Sequence, residues 1–234
     1  MRRGAQFSPS RDAQFSPSLD SWLLDRLDGD ERKVAAGTLE ACAAHFLPAG
    51  SRRFAEDLAH PEALLVETGF LVIRSSAPAA RGVVVAEAGR GSNVLAPSDR
   101  EHLHALTDCW VTPLPPAKLD DLLAIPGVAT TLFRGLSAAL RLRQDATTYF
   151  ASVHHLDRVR QKLLQLARQF GRVSSDGIRL DFPLTHALLA DMIVSARETV
   201  TRCLDELERD EFLVREGRSY RLLISPETLD PDET

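Results

Sequence analysis

Apolar positions recur along this chain with two periods, and each change of period marks a part. From Leu19 to about Phe46 the spacing is helical and predicts a helical segment. Short runs rich in β-branched and aromatic residues follow at Arg52–Phe54, Leu64–Arg74, Val83–Glu87 and Cys109–Leu114. The turn-formers "LPAGS", "SSAPAARG" and "GRGSN" separate them. Short strands with turns between them predict a small roll or sandwich, irregular around residues 88–107.

The helical period returns from Lys118 to Val153, interrupted at Pro126–Gly127. There Ala129, Leu132, Leu136, Ala139, Arg143, Ala146, Phe150 and Val153 fall at alternating steps of three and four. That is a heptad seam with an arginine in it, on a helix about 40 Å long. A stripe that outlasts a typical globular helix predicts a dimer seam at Leu132, Leu136, Ala139, Arg143, Ala146 and Phe150. The alternative is an amphipathic helix lying along its own domain.

Downstream the pattern predicts a helix near His155–Phe170, then the hairpin "GRVSSDGIRLDF" with Asp176–Gly177 as its turn. Two helices, "LTHALLADMI" and "SARETVTRCLDELERD", follow with almost no linker, and then two strand-like runs around Glu216–Gly217. Helix, tight turn, helix and hairpin is the plan of a winged helix-turn-helix. On the second helix Val200, Cys203, Leu204 and Leu207 share one face and must turn to the core. Arg197, Glu198, Thr201, Arg202 and Asp205 are left outside. Arginine can donate two hydrogen bonds to guanine, glutamate can accept from cytosine, and threonine can touch a thymine methyl or a phosphate. A blander reading of the same row is a capping box, with Ser195 at the N-cap and Glu198 three residues on. On that reading Arg202 pairs with Glu198 or Glu206 on a solvated face.

Composition changes this picture little. The 234 residues carry a formal net charge of −5, so bulk charge does not advertise a nucleic-acid binder. Residues 152–225 hold twelve Arg and Lys against eleven Asp and Glu, so any DNA affinity must come from local placement. Three scattered cysteines, Cys42, Cys109 and Cys203, argue against a disulfide framework and a four-cysteine cluster. With no apolar run of membrane-spanning length and no signal peptide, the expected compartment is the cytoplasm. Nothing arranges a nucleophile, base and oxyanion site, so an enzyme is not expected. His102, His104 and Cys109 are metal ligands in principle, but scattered surface histidines explain them more cheaply. The glycines of "GRGSN" could admit an anion beside Arg90, although such loops are usually plain turns. The N-terminus repeats itself, "AQFSPSRD" then "AQFSPSLD". Residues 1–20 are read as a leader without fixed structure, with a Phe7/Phe15 docking motif as the alternative.

The segment "LTHALLADMIVSARETVTRCLDELERDEFLVREG" resembles the helix-turn-helix of the Crp–Fnr family of bacterial regulators almost end to end. "LDRVRQKLLQLARQFGR" resembles the helix leading into that domain. "LPAGSRRF", "EALLVETGFLVIR" and "ALTDCWVTPLPPAKLDDLLA" are similar, in order, to pieces of the family's effector domain. The resemblance implies an α+β chain: a degenerate, cyclic-nucleotide-binding-like β-roll at 21–117 and a dimerisation helix region at 118–153. A winged helix-turn-helix at 154–225 and a loose acidic tail at 226–234 complete it. It places Arg197, Glu198 and Arg202 at base-reading positions. It places Thr185, Ser195, Thr199, Thr201, Arg215, Arg218 and Arg221 near the DNA backbone. The implied partners are a double-stranded operator with GTGA-like halves, a second copy of the chain and RNA polymerase. Two departures stand out. Val194 occupies a turn position where many members have glycine. "EAGRGSNVLAPSDREHLHALTDC" lacks both parts of the cyclic-AMP phosphate cassette, so cyclic AMP is not expected as effector and no other cofactor is identified. A constitutive regulator without effector and a module whose winged helix binds protein remain as alternatives.

Overall fold

The computed structural model describes residues 15–80, 82–150 and 154–229, the side chains of Leu142 and of 145–150 excepted. The first AQFSPS copy, the seam positions Ala146, Phe150 and Val153, and the last residues of the acidic tail therefore lie outside the described residues. The fold is α+β, in two compact units that meet in sequence between Ala138 and Ala139.

The first unit holds two four-stranded antiparallel sheets. One has the order β1-β8-β3-β6, from His45–Leu47, Cys109–Leu114, Ala63–Thr68 and Ser92–Leu95; the other has the order β2-β7-β4-β5, from Arg52–Arg53, Glu101–Ala105, Phe70–Ser75 and Val84–Gly89. The apolar run Leu64–Arg74 is thus not one strand. It breaks at Gly69, whose φ of 80° turns the chain from the first sheet into the second. A side chain there would also strike the Asp108 carbonyl, so glycine is required twice over. β6 and β7 fall inside the stretch expected to be irregular. In β7 the alternation is present but short, with Leu103 and Ala105 buried and His102 and His104 facing away.

Leu47, Leu64, Val66 and Val111 meet Leu71, Ile73, Leu103 and Ala105 between the sheets. The opposite face of the first sheet offers Leu65 and Leu114 to the helices. The expected N-terminal helix is in fact α1 (Pro17–Asp20), a 3-10 turn at Leu24–Arg26 and α2 (Gly29–Glu40), followed by β1. Residues 15–20, expected to lack fixed structure, instead hold α1 and the Phe15–Trp110 stack. α3 (Pro116–Leu123) and the start of α4 (Pro126–Phe150) complete this layer with Leu122, Ile125, Val128 and Leu132. Glu31 of α2 accepts from the Gly127 amide at 3.1 Å, placing a carboxylate at the α4 N-terminus. Leu132 is only 6% exposed in this core, which removes it from the expected dimer seam. Among the described residues, the large outward apolar side chains of α4 are Phe133, Leu136 and Leu140, at 70%, 44% and 56% exposure, so Leu136 of the expected seam does face outward. Ala139 is partly covered and Arg143 exposed. Among the described residues, no single helix is long and apolar enough to cross a membrane.

Glu67 of β3 is 2% exposed inside this helical layer. Its carboxylate accepts from the Ser21 hydroxyl at 2.9 Å, the Trp22 amide at 3.2 Å and the Thr112 hydroxyl at 2.9 Å. It therefore ties the N-terminal segment to the sheet, and Leu23, Leu24 and Leu27 are buried behind that tie. Burial raises the Glu67 pKa, and the three donors and Arg90 offset only part of the rise. A carboxyl whose pKa is higher folded than unfolded stabilises the fold at low pH and loses that contribution as pH climbs. Replacement by Gln removes the titration. In denaturant unfolding at pH 5 and pH 8, the wild type should lose stability relative to Glu67→Gln as pH rises, whereas parallel curves would show that Glu67 does not titrate abnormally.

Candidate nucleic-acid interface

The second unit begins within α4 and continues with α5 (His155–Phe170) and the strands β9 (Arg172–Ser174) and β10 (Gly177–Leu180). Then come α6 (His186–Ile193), α7 (Arg197–Arg209), β11 (Leu213–Glu216) and β12 (Ser219–Leu222). The four strands make one antiparallel sheet in the order β11-β12-β10-β9. Val200, Cys203, Leu204 and Leu207 of α7 are all buried, at 0%, 7%, 0% and 2% exposure, as the helical spacing predicts. They pack in the interior that also buries Val159, Leu163 and Leu166 of α5 and Leu188, Leu189 and Ile193 of α6. Four such side chains, at about 1.5–3 kcal/mol each, set the roll of α7 about its axis far more strongly than surface ion pairs can.

That roll leaves Arg197, Glu198 and Arg202 exposed. No ion pair joins Arg202 to Glu198 or Glu206, nor holds Arg197, among the described residues. The capping box does not form either. Ala196 is the N-cap residue without a side-chain bond, and the Ser195 hydroxyl lies 3.2 Å from His155 Nδ1 instead. The rest of the outer row is committed within the protein. Thr201 donates to the Arg197 carbonyl at 3.0 Å and meets His186 Nδ1 at 2.8 Å, clasping α6 to α7. Burial, with Arg215 and Arg197 nearby, lowers the His186 pKa and favours the neutral ring. Asp205 holds Arg215 of β11 at 2.5 Å, and Glu208 approaches the same guanidinium at 3.4 Å, so the wing is braced against α7. Those ties depend on residues fifteen and ten positions apart, which no local pattern in the sequence announces.

The backbone-contact candidates divide in the same way. Thr185 is exposed and caps α6, accepting from the Leu188 amide at 3.1 Å. Thr199 is partly exposed beside Arg202. Arg218 is exposed in the tight turn of the wing, free of ion pairs among the described residues. Arg215 and Arg221 are not free: Arg221 pairs with Asp176 and, at 2.8 Å, with Glu216. Arg179 pairs with Glu216 at 3.0 Å. These arginines build a ladder of alternating charge across the sheet, which the sequence spacing alone presented as a row of cations.

Elsewhere, the Gly91 amide of the "GRGSN" loop donates to the Val66 carbonyl at 3.0 Å, and the Gly89 amide to the Ser92 hydroxyl at 3.3 Å. The loop is the turn that carries the chain from β5 in the second sheet to β6 in the first, with these amides already used. His102 and His104 lie on the outer side of β7, whereas Cys109 is buried between the sheets, so the three do not converge. Burial pushes the Cys109 thiol up to about 11.

With this geometry, comparison with known proteins is decisive for the domain. Residues 157–230 match the Crp-like helix-turn-helix domain. The C-terminal domain is thus similar to the Crp-like helix-turn-helix domains, over about a third of the chain. It is 34% identical over 92 residues to the global nitrogen regulator of Synechococcus elongatus. That match takes in 39% of this chain and 41% of the relative. It is 29% identical over 94 residues to a CRP-like cAMP-activated global transcriptional regulator of Mycobacterium tuberculosis, covering 40% of this chain and 42% of the relative. The chain thus matches about two-fifths of the length of these curated relatives. The fold similarity runs further: a variant of CooA from Carboxydothermus hydrogenoformans superposes with a TM-score of 0.67 at 18% identity, over 82% of this chain and 88% of that one.

The Crp-like turn carries its own cost. Val194 ends α6 at φ 51° and ψ 58°, and its exposure of 59% gives it little packing in return. A β-branched residue in the left-handed region is strained. α7 ends similarly, with Glu211 at φ 56°. Phe212 there bonds back to the Leu207 carbonyl at 2.9 Å. Val194→Gly should raise stability by about 1 kcal/mol, read as a higher denaturant midpoint at unchanged slope. An unchanged or lower midpoint would mean the turn holds Val194 without strain.

Proposed function

We propose that this chain is a cytoplasmic, sequence-specific transcription regulator that places α7 in the DNA major groove and acts as a homodimer on a two-fold symmetric operator. One observation carries the reading. On a helix sealed into its domain along one face, Arg197, Glu198 and Arg202 alone of the outer row are exposed and uncommitted, and theirs is the chemistry that reads base edges. The relatives named as a global nitrogen regulator and as a global transcriptional regulator support it. Arg218 and the capped start of α6 at Thr185 supply candidate phosphate contacts, which position the domain without reading sequence. RNA polymerase would be the further partner of an activator.

For the dimer, the support is the outward face of α4. Phe133, Leu136 and Leu140 are exposed apolar residues at steps of three and four, the spacing of a helix–helix seam. Cyclic AMP is not proposed as effector, because the β5–β6 turn has neither part of the phosphate cassette and uses its own amides. The proposal is a regulator working without cyclic AMP, its activity set by dimer geometry or by abundance.

Selection from random duplex DNA by the purified protein, without added ligand, tests the function. A symmetric site with GTGA-like halves is the expected product, and recovery of no sequence preference from folded dimer would contradict it. Arg197→Ala and Arg202→Ala should each cost about 1–3 kcal/mol on that site and relax one base pair. Arg218→Ala should instead weaken all sequences alike and reduce the salt dependence. Joint replacement of Phe133 and Leu136 by Glu should shift sedimentation from dimer to monomer; a dimer that survives both charges would place the seam elsewhere.

A further inference from the structure

Phe15 stacks on the Trp110 indole, with centroids 5.6 Å apart and planes 22° from parallel. Phe46 flanks the same indole at 5.3 Å. The next residue, Ser16, is the N-cap of α1, its amide donating to the Asp20 carboxylate at 2.9 Å, and Pro17 is buried. Leu19 is 75% exposed. The docked unit is therefore Phe-Ser-Pro-Ser followed, after one solvent-facing residue, by Asp.

Eight residues upstream the sequence writes this unit again, as Phe7, Ser8, Pro9, Ser10, Arg11 and Asp12. The two copies differ within the unit only at Leu19 and Arg11, the position the docked copy leaves in water. Every residue used in docking is duplicated, and the Trp110 indole is already flanked by Phe15 and Phe46. The tie between Ser21, Trp22 and Glu67 holds the chain just downstream, so either copy can reach the platform while the core behind the tie stays intact.

We propose that the Trp110–Phe46 platform is a binding site for a Phe-Ser-Pro-Ser segment, and that the copy at 7–12 exchanges with the copy at 15–20 as its occupant within one chain. Docking the first copy lengthens the closed segment up to Ser21 from six residue steps to fourteen. Loop-closure entropy makes that roughly threefold to fourfold less favourable, so about one chain in five carries the upstream copy. The duplication thereby makes docking of the N-terminal segment redundant and gives that segment two registers.

The full-length protein, labelled with 15N, tests this through the Trp110 indole resonance, assigned with Trp110→Phe. Phe15→Ala should keep most of the docked chemical shift, because Phe7 then has no rival. Phe7→Ala should retain it fully, and the double variant should lose it. Deleting residues 5–12 in the Phe15→Ala background should reproduce the double variant, a second route should the double substitution fail to fold. The synthetic peptide AQFSPSRD should then return the resonance of the undocked variant towards its docked position at millimolar concentration. Coincidence of Phe15→Ala alone with the undocked variants would overturn the exchange, as would a peptide that moves nothing. A Phe15→Ala spectrum that changes with protein concentration would assign the occupant to a second copy and also overturn it.

Discussion

Everything proposed for the C-terminal domain depends on how α7 is rolled about its axis. Val200, Cys203, Leu204 and Leu207 determine that roll by burial, against the apolar faces of α5 and α6. Turning the helix by one residue would move it about 100° and expose several kcal/mol of packed surface. Against that, the ion pairs open to Arg197 or Arg202 on a solvated face are worth only tenths of a kcal/mol. The apolar face wins, and the charged row is presented as its consequence.

Around that constraint the domain uses its other polar groups for bracing. The His186–Thr201 contact joins the two helices of the motif, and the Arg215–Asp205 pair joins the recognition helix to the wing. Arg179 and Arg221 neutralise carboxylates within the sheet. Within a domain of nearly balanced charge the paired arginines contribute little field, while Arg197 and Arg202 stand free of ion pairs on one helix and Arg218 on the wing.

The N-terminal unit shows a related division of labour. Its two sheets enclose one core, while a second apolar layer covers the outer face of the first sheet. Glu67 is the polar tie inside that second layer. Leu132 belongs to it, so the upper part of α4 has one side committed to its own domain and another, at Phe133, Leu136 and Leu140, left open. A heptad count along α4 selects Leu132 as readily as Phe133, since both are apolar neighbours about 100° apart. Which of them faces outward was settled by the sheet beneath.

What the sequence by itself determined is the set of elements whose periodicity exceeds any competing pattern. The buried face of α7, the tight turn before it, the two C-terminal hairpins and the strand Cys109–Leu114 were all legible, because apolar spacing and turn residues act over a few neighbours. The break of the Leu64–Arg74 run at Gly69 and the strands β6 and β7 were not, because short, half-exposed strands are defined by the partners they pair with. Tertiary structure alone decided which arginines are free. Arg215 and Arg221 look like Arg197 and Arg202 in one dimension, and only folding brings Asp205, Asp176 and Glu216 to them. A charge's role depends on its neighbours in space, and those neighbours are distant in the chain.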